Sequence, residues 1–364
     1  TVITKNIGLD LGFLNNRLNV SFDAYIRDTK DMLMAGKTLP GVYGASSPRM
    51  NVADLRTKGW EASVTWGDSF TLASKPFNYR IMAGIGDNTS KVTKYDNPNR
   101  TLTDPYEGQQ LGEIWGYVVD GYFKTDEEAR NYKVDQSFVN QMINASALDN
   151  GLHAGDLKFV DLDGNNKIEQ TTSANDRKDM KVIGNSLPRY NYNFGISADW
   201  YGIDFSVLFQ GIGKQNWYPG AETSMFWGPY SRPYASFIPS DFMSQVWSEE
   251  NTNAYFPRPR GYVALGSNRE LAVVNTKYLQ NLAYCRLKNL SIGYTLPDKW
   301  LSKIGFEKIR VYFSGENLLT FTKLHSDYID PEQASASNSW KTSKSDANIY
   351  PWAKTYSFGV DITF

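Results

Sequence analysis

Thiol and imidazole chemistry are nearly missing from this chain. Its 364 residues include one cysteine, Cys285, and two histidines, His153 and His325. A single thiol closes no internal disulfide, and one cysteine with two scattered histidines builds no zinc site. Charge of one sign is missing too: 38 Lys and Arg face 39 Asp and Glu, a formal charge of −1, so attraction to nucleic acid is not expected. No apolar run approaches the roughly 18 residues of a membrane helix, and mean hydropathy is −0.47. Helical spans are thereby excluded, but a transmembrane barrel is not, because only alternate barrel residues face lipid. The first residue is Thr1, with no charged-then-apolar leader behind it, which reads as a mature protein or a fragment. Enzyme signatures are absent as well. Carboxylate pairs such as Glu249-Glu250 lie on polar segments, without the apolar frame that raises a pKa for acid catalysis. Neither histidine sits in a nucleophile arrangement, and no glycine-rich phosphate loop links a strand to a helix.

Aromatic and turn-forming residues are abundant: 23 Tyr, 19 Phe, 10 Trp, 29 Gly and 15 Pro. Such a composition suits two ordinary domains or one large all-β sheet. Period-two alternation favours the sheet. Ile7, Leu9, Leu11 and Phe13 alternate with Gly8, Asp10 and Gly12, and after Asn15-Asn16 the pattern resumes through Leu18, Val20, Phe22, Ala24 and Ile26. Seven more segments obey it, beginning near Trp60, Tyr79, Tyr192, Ile203, Leu290, Ile309 and Tyr356. These nine predicted strands are joined by connections that alternate in length. Short ones fall at Asn15-Asn16, Ser69 to Pro76, Tyr201-Gly202 and Pro297 to Phe306; long ones run from Ala35 to Lys58, Lys91 to Pro188, Trp217 to Asn281 and Phe321 to Trp352. Segregation of short turns to one rim and long loops to the other is the habit of outer-membrane barrels, which have short periplasmic turns and long extracellular loops; a soluble β-sandwich or solenoid is the rival reading. Placing the terminal strand, which ends in Phe364, in the periplasm and counting back nine strands puts Thr1 outside. Bacterial single-chain barrels have even strand numbers, so the expectation is a C-terminal part of a larger barrel, with further strands upstream.

Many separate stretches resemble SusC-like TonB-dependent transporters. They include Asn6-Ile7-Gly8-Leu9-Asp10, Asp23-Ala24-Tyr25-Ile26-Arg27-Asp28, Lys58-Gly59-Trp60-Glu61, Gly112-Glu113-Ile114-Trp115-Gly116-Tyr117, Ile183-Gly184-Asn185-Ser186-Leu187-Pro188-Arg189-Tyr190, Glu316-Asn317-Leu318 and Tyr328-Ile329-Asp330-Pro331-Glu332. The resemblance covers essentially the whole chain. It implies an all-β antiparallel transmembrane barrel of 22 strands in the bacterial outer membrane, to which residues 1–364 contribute about nine C-terminal strands, with the plug and the TonB-contacting segment upstream. It further implies import of oligosaccharides or, less often, peptides, beneath a SusD-like surface lipoprotein that acts as a lid; outer-membrane lipid around the wall and a dimer of transporter–lipoprotein pairs belong to the same expectation. A passive porin-like channel and a soluble β-rich glycan-binding module are the alternatives.

Two features of the long loops are candidate sites. In loop 91–188, Asp161-Leu162-Asp163-Gly164-Asn165-Asn166-Lys167-Ile168-Glu169 sets oxygen side chains at alternate positions, the way a short loop wraps a structural calcium ion. Asp161, Asp163 and Asn165 would ligate through side chains, Lys167 through its carbonyl, and Glu169 directly or through water. A standard loop would close at Thr172, which has no carboxylate; family sequences of the form DxNGDGKIDxxDR imply Asp176 instead. Asn166 stands at the usual glycine and tolerates the left-handed conformation. The bland alternative is a solvated acidic turn. In loop 217–281, Trp217, Tyr218, Phe226, Trp227, Tyr230 and Tyr234 offer flat faces for stacking on sugar rings; aromatics also build small cores inside long loops. Ser240 to Trp247 reads as a short helix capped by Ser240, and Thr125-Asp126-Glu127-Glu128 as a helix start. Inward polar residues of the strands, Asp10, Asp23, Arg27, Glu61, Arg80 and Asp199, are expected to line the lumen.

Overall fold

The computed structural model describes residues 1–36, 39–140, 151–231, 237–259, 265–266, 269–301, 305–334, 344–345 and 351–364. Nine strands form one antiparallel sheet in which neighbours in sequence are neighbours in space. They are β1 (Val2–Phe13), β2 (Leu18–Ala35), β3 (Arg49–Leu72), β4 (Lys75–Lys94), β5 (Arg189–Trp200), β6 (Ile203–Lys214), β7 (Tyr284–Thr295), β8 (Lys308–Thr322) and β9 (Thr355–Thr363). All nine strands read from alternation are present.

Turn chemistry makes the short connections possible. Asn15 and Asn16 have φ of 56° and 62°, and Tyr201 and Gly202 φ of 51° and 82°; positive φ at both central residues gives the twist that suits a two-residue hairpin. The third turn uses Ala73 and Ser74 in the same conformation. The long connections span 36–48, 95–188, 215–283 and 323–354. The first is shorter than the span from Ala35 to Lys58 read from sequence, because β2 and β3 extend toward each other. Their pairing shifts between Thr29 and Met32, around Asp31 with φ 54°. Such an irregularity changes which face successive side chains take, so the alternation stops being visible while the ladder continues.

The register aligns the two side-chain sets across the whole sheet. One face carries Ile7, Phe22, Val64, Ile81, Phe194, Ile196, Ile292 and Phe358, and these apolar side chains are exposed, Ile7 by 73% and Phe358 by 83%. Toward the short turns this face becomes aromatic: Trp66 Nε1 donates to the Tyr79 hydroxyl at 2.9 Å, and Phe70, Phe77 and Tyr79 pack ring to ring. No helix among the described residues is long and apolar enough to cross a membrane.

The buried core lies outside the sheet, in the long connections. Ile114, Tyr117, Leu157, Phe159 and Ile168 from the second connection meet Trp217, Phe226, Phe256 and Leu282 from the third, and Leu324 and Ile329 from the fourth. Short antiparallel ladders between distant segments frame it: Glu113–Tyr117 pairs with Met180–Asn185, Val119–Tyr122 with Leu157–Phe159, and Asn216–Pro219 with Gln280–Asn281. A helix over Asp126–Arg130 starts as its sequence suggests, with Thr125 accepting from the Glu128 amide and Glu128 accepting in return from the Lys124 amide. The segment from Ser240 forms a 3-10 turn at Phe242–Gln245 preceded by Asp241, with no side-chain cap.

Candidate functional site

The second face of the sheet is polar. Strand parity puts Asp10, Asp23, Arg27, Glu61, Arg80 and Asp199 on it together. A cavity of about 360 Å³ opens here, lined by Ser21, Asp23, Tyr25, Glu61, Asn191 and Asn193. Asp23 and Glu61 stand directly opposite one another in register, an arrangement of like charges that costs stability unless water or a cation screens it. Hydroxyl, amide and carboxylate groups at this spacing suit a hydrogen-bonding ligand rather than an apolar one.

Above this face, Arg286 on β7 is only 2% exposed and fully engaged. Its Nη2 donates to both Asp330 carboxylate oxygens at 2.7 Å, its Nη1 to Glu332 at 2.6 Å and its Nε to the Thr320 hydroxyl at 2.9 Å; Lys288 Nζ completes the group on Glu332 at 2.8 Å. Two cations and two acids thus fasten Asp330-Pro331-Glu332 to the wall. The same connection touches the outer core through His325, whose ring stacks on Tyr255 at 3.5 Å and whose Nε2 lies 2.8 Å from Gln245 Oε1.

The aromatic residues chosen as sugar platforms lie elsewhere than a platform requires. Trp217, Tyr218, Phe226, Trp227 and Tyr230 are at most 2% exposed, inside the outer core. Their polar atoms are spent internally: the Tyr218 hydroxyl donates to the Leu271 carbonyl, Trp227 Nε1 to the Gly220 carbonyl, and the Tyr230 hydroxyl to the Pro257 carbonyl. As substrate-binding residues they are therefore corrected to packing residues, since a buried ring has no free face to stack. Tyr234 lies outside the described residues.

In the acidic loop the structure brings Asp161 and Asp163 together with Asp179, their ligand oxygens within 4.8 Å of one another. Asp161 accepts from the Gly164 and Asn166 amides, both at 2.7 Å, and Gly164 and Asn166 supply the left-handed turns, φ 78° and 62°. Asp179 is fully buried. Burial pushes its carboxyl above the ordinary aspartate range, and the charges of Asp163 and Asp161 add to that, against the amides of Glu169 and Leu162, which donate to it. Hard oxygens, one buried and like-charged with two others, are a donor set a divalent cation fits. The remaining nominees are turned to other work: the Asn165 side-chain Oδ1 accepts from the Lys167 amide at 2.8 Å, and Glu169 pairs with Lys178 at 3.3 Å. Asp176 stands outside the carboxylate group, bridged through its backbone to Ser173. Asp179 escaped sequence reading because it lies ten residues past Glu169 and is delivered by the fold.

An antiparallel meander with one exposed apolar face, one polar face and loop length segregated by rim is the wall of a transmembrane β-barrel. No protein-family model matches the chain. It is 28% identical to TonB-dependent receptor P3 of Formosa agariphila over 99% of its length and 34% of that receptor, and 23% identical to TonB-dependent receptor SusC of Bacteroides thetaiotaomicron over 99% of its length and 32% of SusC. Among solved structures, the RagAB peptide importer in its open-open state superposes with a TM-score of 0.69 at 21% identity, over 99% of this chain and 34% of that one. The chain is homologous to the TonB-dependent receptors, SusC among them, and spans about a third of their length.

Proposed function

We propose that this chain forms an arc of the wall, the polar lining and the outer loops of a TonB-dependent importer in the bacterial outer membrane. The reading is carried by the exposed apolar face set against the polar cavity of Asp23, Glu61 and Asn193: lipid on one side, a hydrated path on the other. The ligand is a glycan oligosaccharide, whose hydroxyls match that carboxylate and amide lining, and a SusD-like lipoprotein acts as the lid over the long loops. TonB acts through the part of the protein upstream of this arc. Peptide import is the second reading, favoured by the superposition on the RagAB peptide importer. Asp161, Asp163 and Asp179 would hold a calcium ion that stiffens loop 95–188 by neutralising their mutual repulsion.

The deciding experiment follows uptake of oligosaccharides and of peptides in cells with the whole gene intact, deleted, or intact in a strain lacking TonB. Oligosaccharide uptake lost in both altered strains supports the reading; peptide uptake lost alone selects the second. Uptake that persists without TonB points to a passive channel, and a protein that leaves the cell envelope without detergent removes the membrane reading altogether.

A further inference from the structure

The lipid-facing side of the sheet is not symmetric from rim to rim. At the short-turn rim it ends in Trp66, Tyr79, Phe70 and Phe77, with Asp68 paired to Arg17. At the long-loop rim of β1 to β4 it ends in cations. Lys5, Ile26, Lys58 and Thr89 are successive register partners, and one step further out so are Ile3, Asp28, Arg56 and Lys91. Lys30 follows Asp28 on the same face of β2. Directly beneath run Ile7, Ala24 and Trp60, then Leu9, Phe22, Ala62 and Ile85, so the cations sit immediately above the apolar belt.

One carboxylate serves this group. Asp28 is gripped by Arg56, Nε to Oδ1 at 2.6 Å and Nη2 to Oδ2 at 3.0 Å, with Lys30 and Lys5 flanking the same acid. In the row below, Asp87 is neutralised by a two-pronged pair with Arg189. Lys5, Lys30, Lys58 and Lys91 are exposed, and among the described residues none has an ion-pair partner on this face. Four like charges so close together raise the free energy of the wall unless an anion meets them.

We propose that this corner of the wall binds the phosphate groups of an anionic glycolipid of the outer leaflet. Lysines present compact point charges suited to phosphate, they stand at headgroup level above an apolar belt, and Ile3, Ile7 and Ile26 between and beneath them give its acyl chains a surface. Occupancy would fix the lipid shell on the β1–β4 side and damp motion at the loop rim above it. The inference rests on the long-loop rim facing outward, as proposed above.

The test uses the whole protein purified in a non-ionic detergent, with lipid retention followed by native mass spectrometry. The probes are a bisphosphorylated lipid A, the same lipid without phosphates, and inorganic phosphate. The variant Lys5→Gln/Lys30→Gln/Lys58→Gln/Lys91→Gln is expected to lose affinity for the phosphorylated lipid by about tenfold or more. Lys75→Gln, at the opposite rim, is expected to keep it. Heat-modifiable gel mobility shows that both variants are folded barrels. Equal affinity of the quadruple variant, equal binding of the dephosphorylated lipid, or displacement of the lipid by millimolar inorganic phosphate each overturns the proposal. The first two results leave acyl-chain binding in place and the third a site for free phosphate, whereas failure of the membrane reading would leave a protein that holds no lipid and needs no detergent.

Discussion

Arg310 reaches over Gly293 to hold Asp204 two strands away, Nε to Oδ1 at 2.8 Å and Nη2 to Oδ2 at 2.6 Å, while its Nη1 meets Asp361 on the following strand at 3.2 Å. One guanidinium thereby ties β6, β8 and β9 across the polar face. The gap over β7 is what lets it pass: a methyl group on Gly293 would lie 2.5 Å from Asp204 Oδ1 and 2.6 Å from Arg310 Nε.

Gly293→Ala is accordingly expected to destabilise the sheet by about 1–3 kcal/mol through overpacking, read as a lower urea midpoint for unfolding from vesicles. Retention of the wild-type midpoint would mean that the Arg310 bridge contributes nothing to stability.

Ile196 lies mid-belt, between register partners Ile81 and Val207. With lipid on that face, Ile196→Arg should cost about 2–4 kcal/mol, and Ser63→Arg on the polar face, beside Glu61, far less. Equal costs in the same unfolding assay would contradict the assignment of faces.

Removing Arg286 leaves Asp330, almost fully buried, with uncompensated charge, while Glu332 keeps Lys288. Arg286→Met should cost about 3–5 kcal/mol locally and speed amide exchange over residues 324–334. Adding Asp330→Asn should recover part of the loss, because the stranded charge is gone; strictly additive effects would show that the two residues are not coupled.

For the acidic loop, chelation should lower the melting temperature of the wild type, and calcium at a hundred times its dissociation constant should restore about 2.7 kcal/mol. Asp179→Asn should erase the response. Amide exchange across 161–179 that ignores calcium in the wild type would leave the carboxylate group a structural turn.

The nine strands were legible because a half-exposed strand must alternate, and the turns because Asn15, Asn16 and Gly202 tolerate positive φ. The outer ends of β2 and β3 were not, since the irregularity at Asp31 breaks the alternation without breaking the ladder. The polar face followed from the same parity, so Asp23 and Glu61 were legible as neighbours of the lumen. The loops were the hard part. Trp227 looks the same in sequence whether it roofs a cleft or fills a core, and which it does depends on Phe256 and Tyr278, packed against it from later in the chain. Asp179 joins Asp161 for the same reason, through long-range packing that no local spacing announces.

The outer core draws on three connections that begin at residue 95 and run past residue 329, whereas every pairing in the sheet joins strands adjacent in sequence. Chain closure is therefore cheap for the four strand pairs joined by short turns, and dearer for the pairings across the long connections and for the roof built from them. The hairpins zip first, each needing only its neighbour, and the roof assembles last, once β4 to β8 stand side by side. A lesion in the roof should then leave insertion intact and speed only its opening, while a lesion in the wall should slow assembly itself.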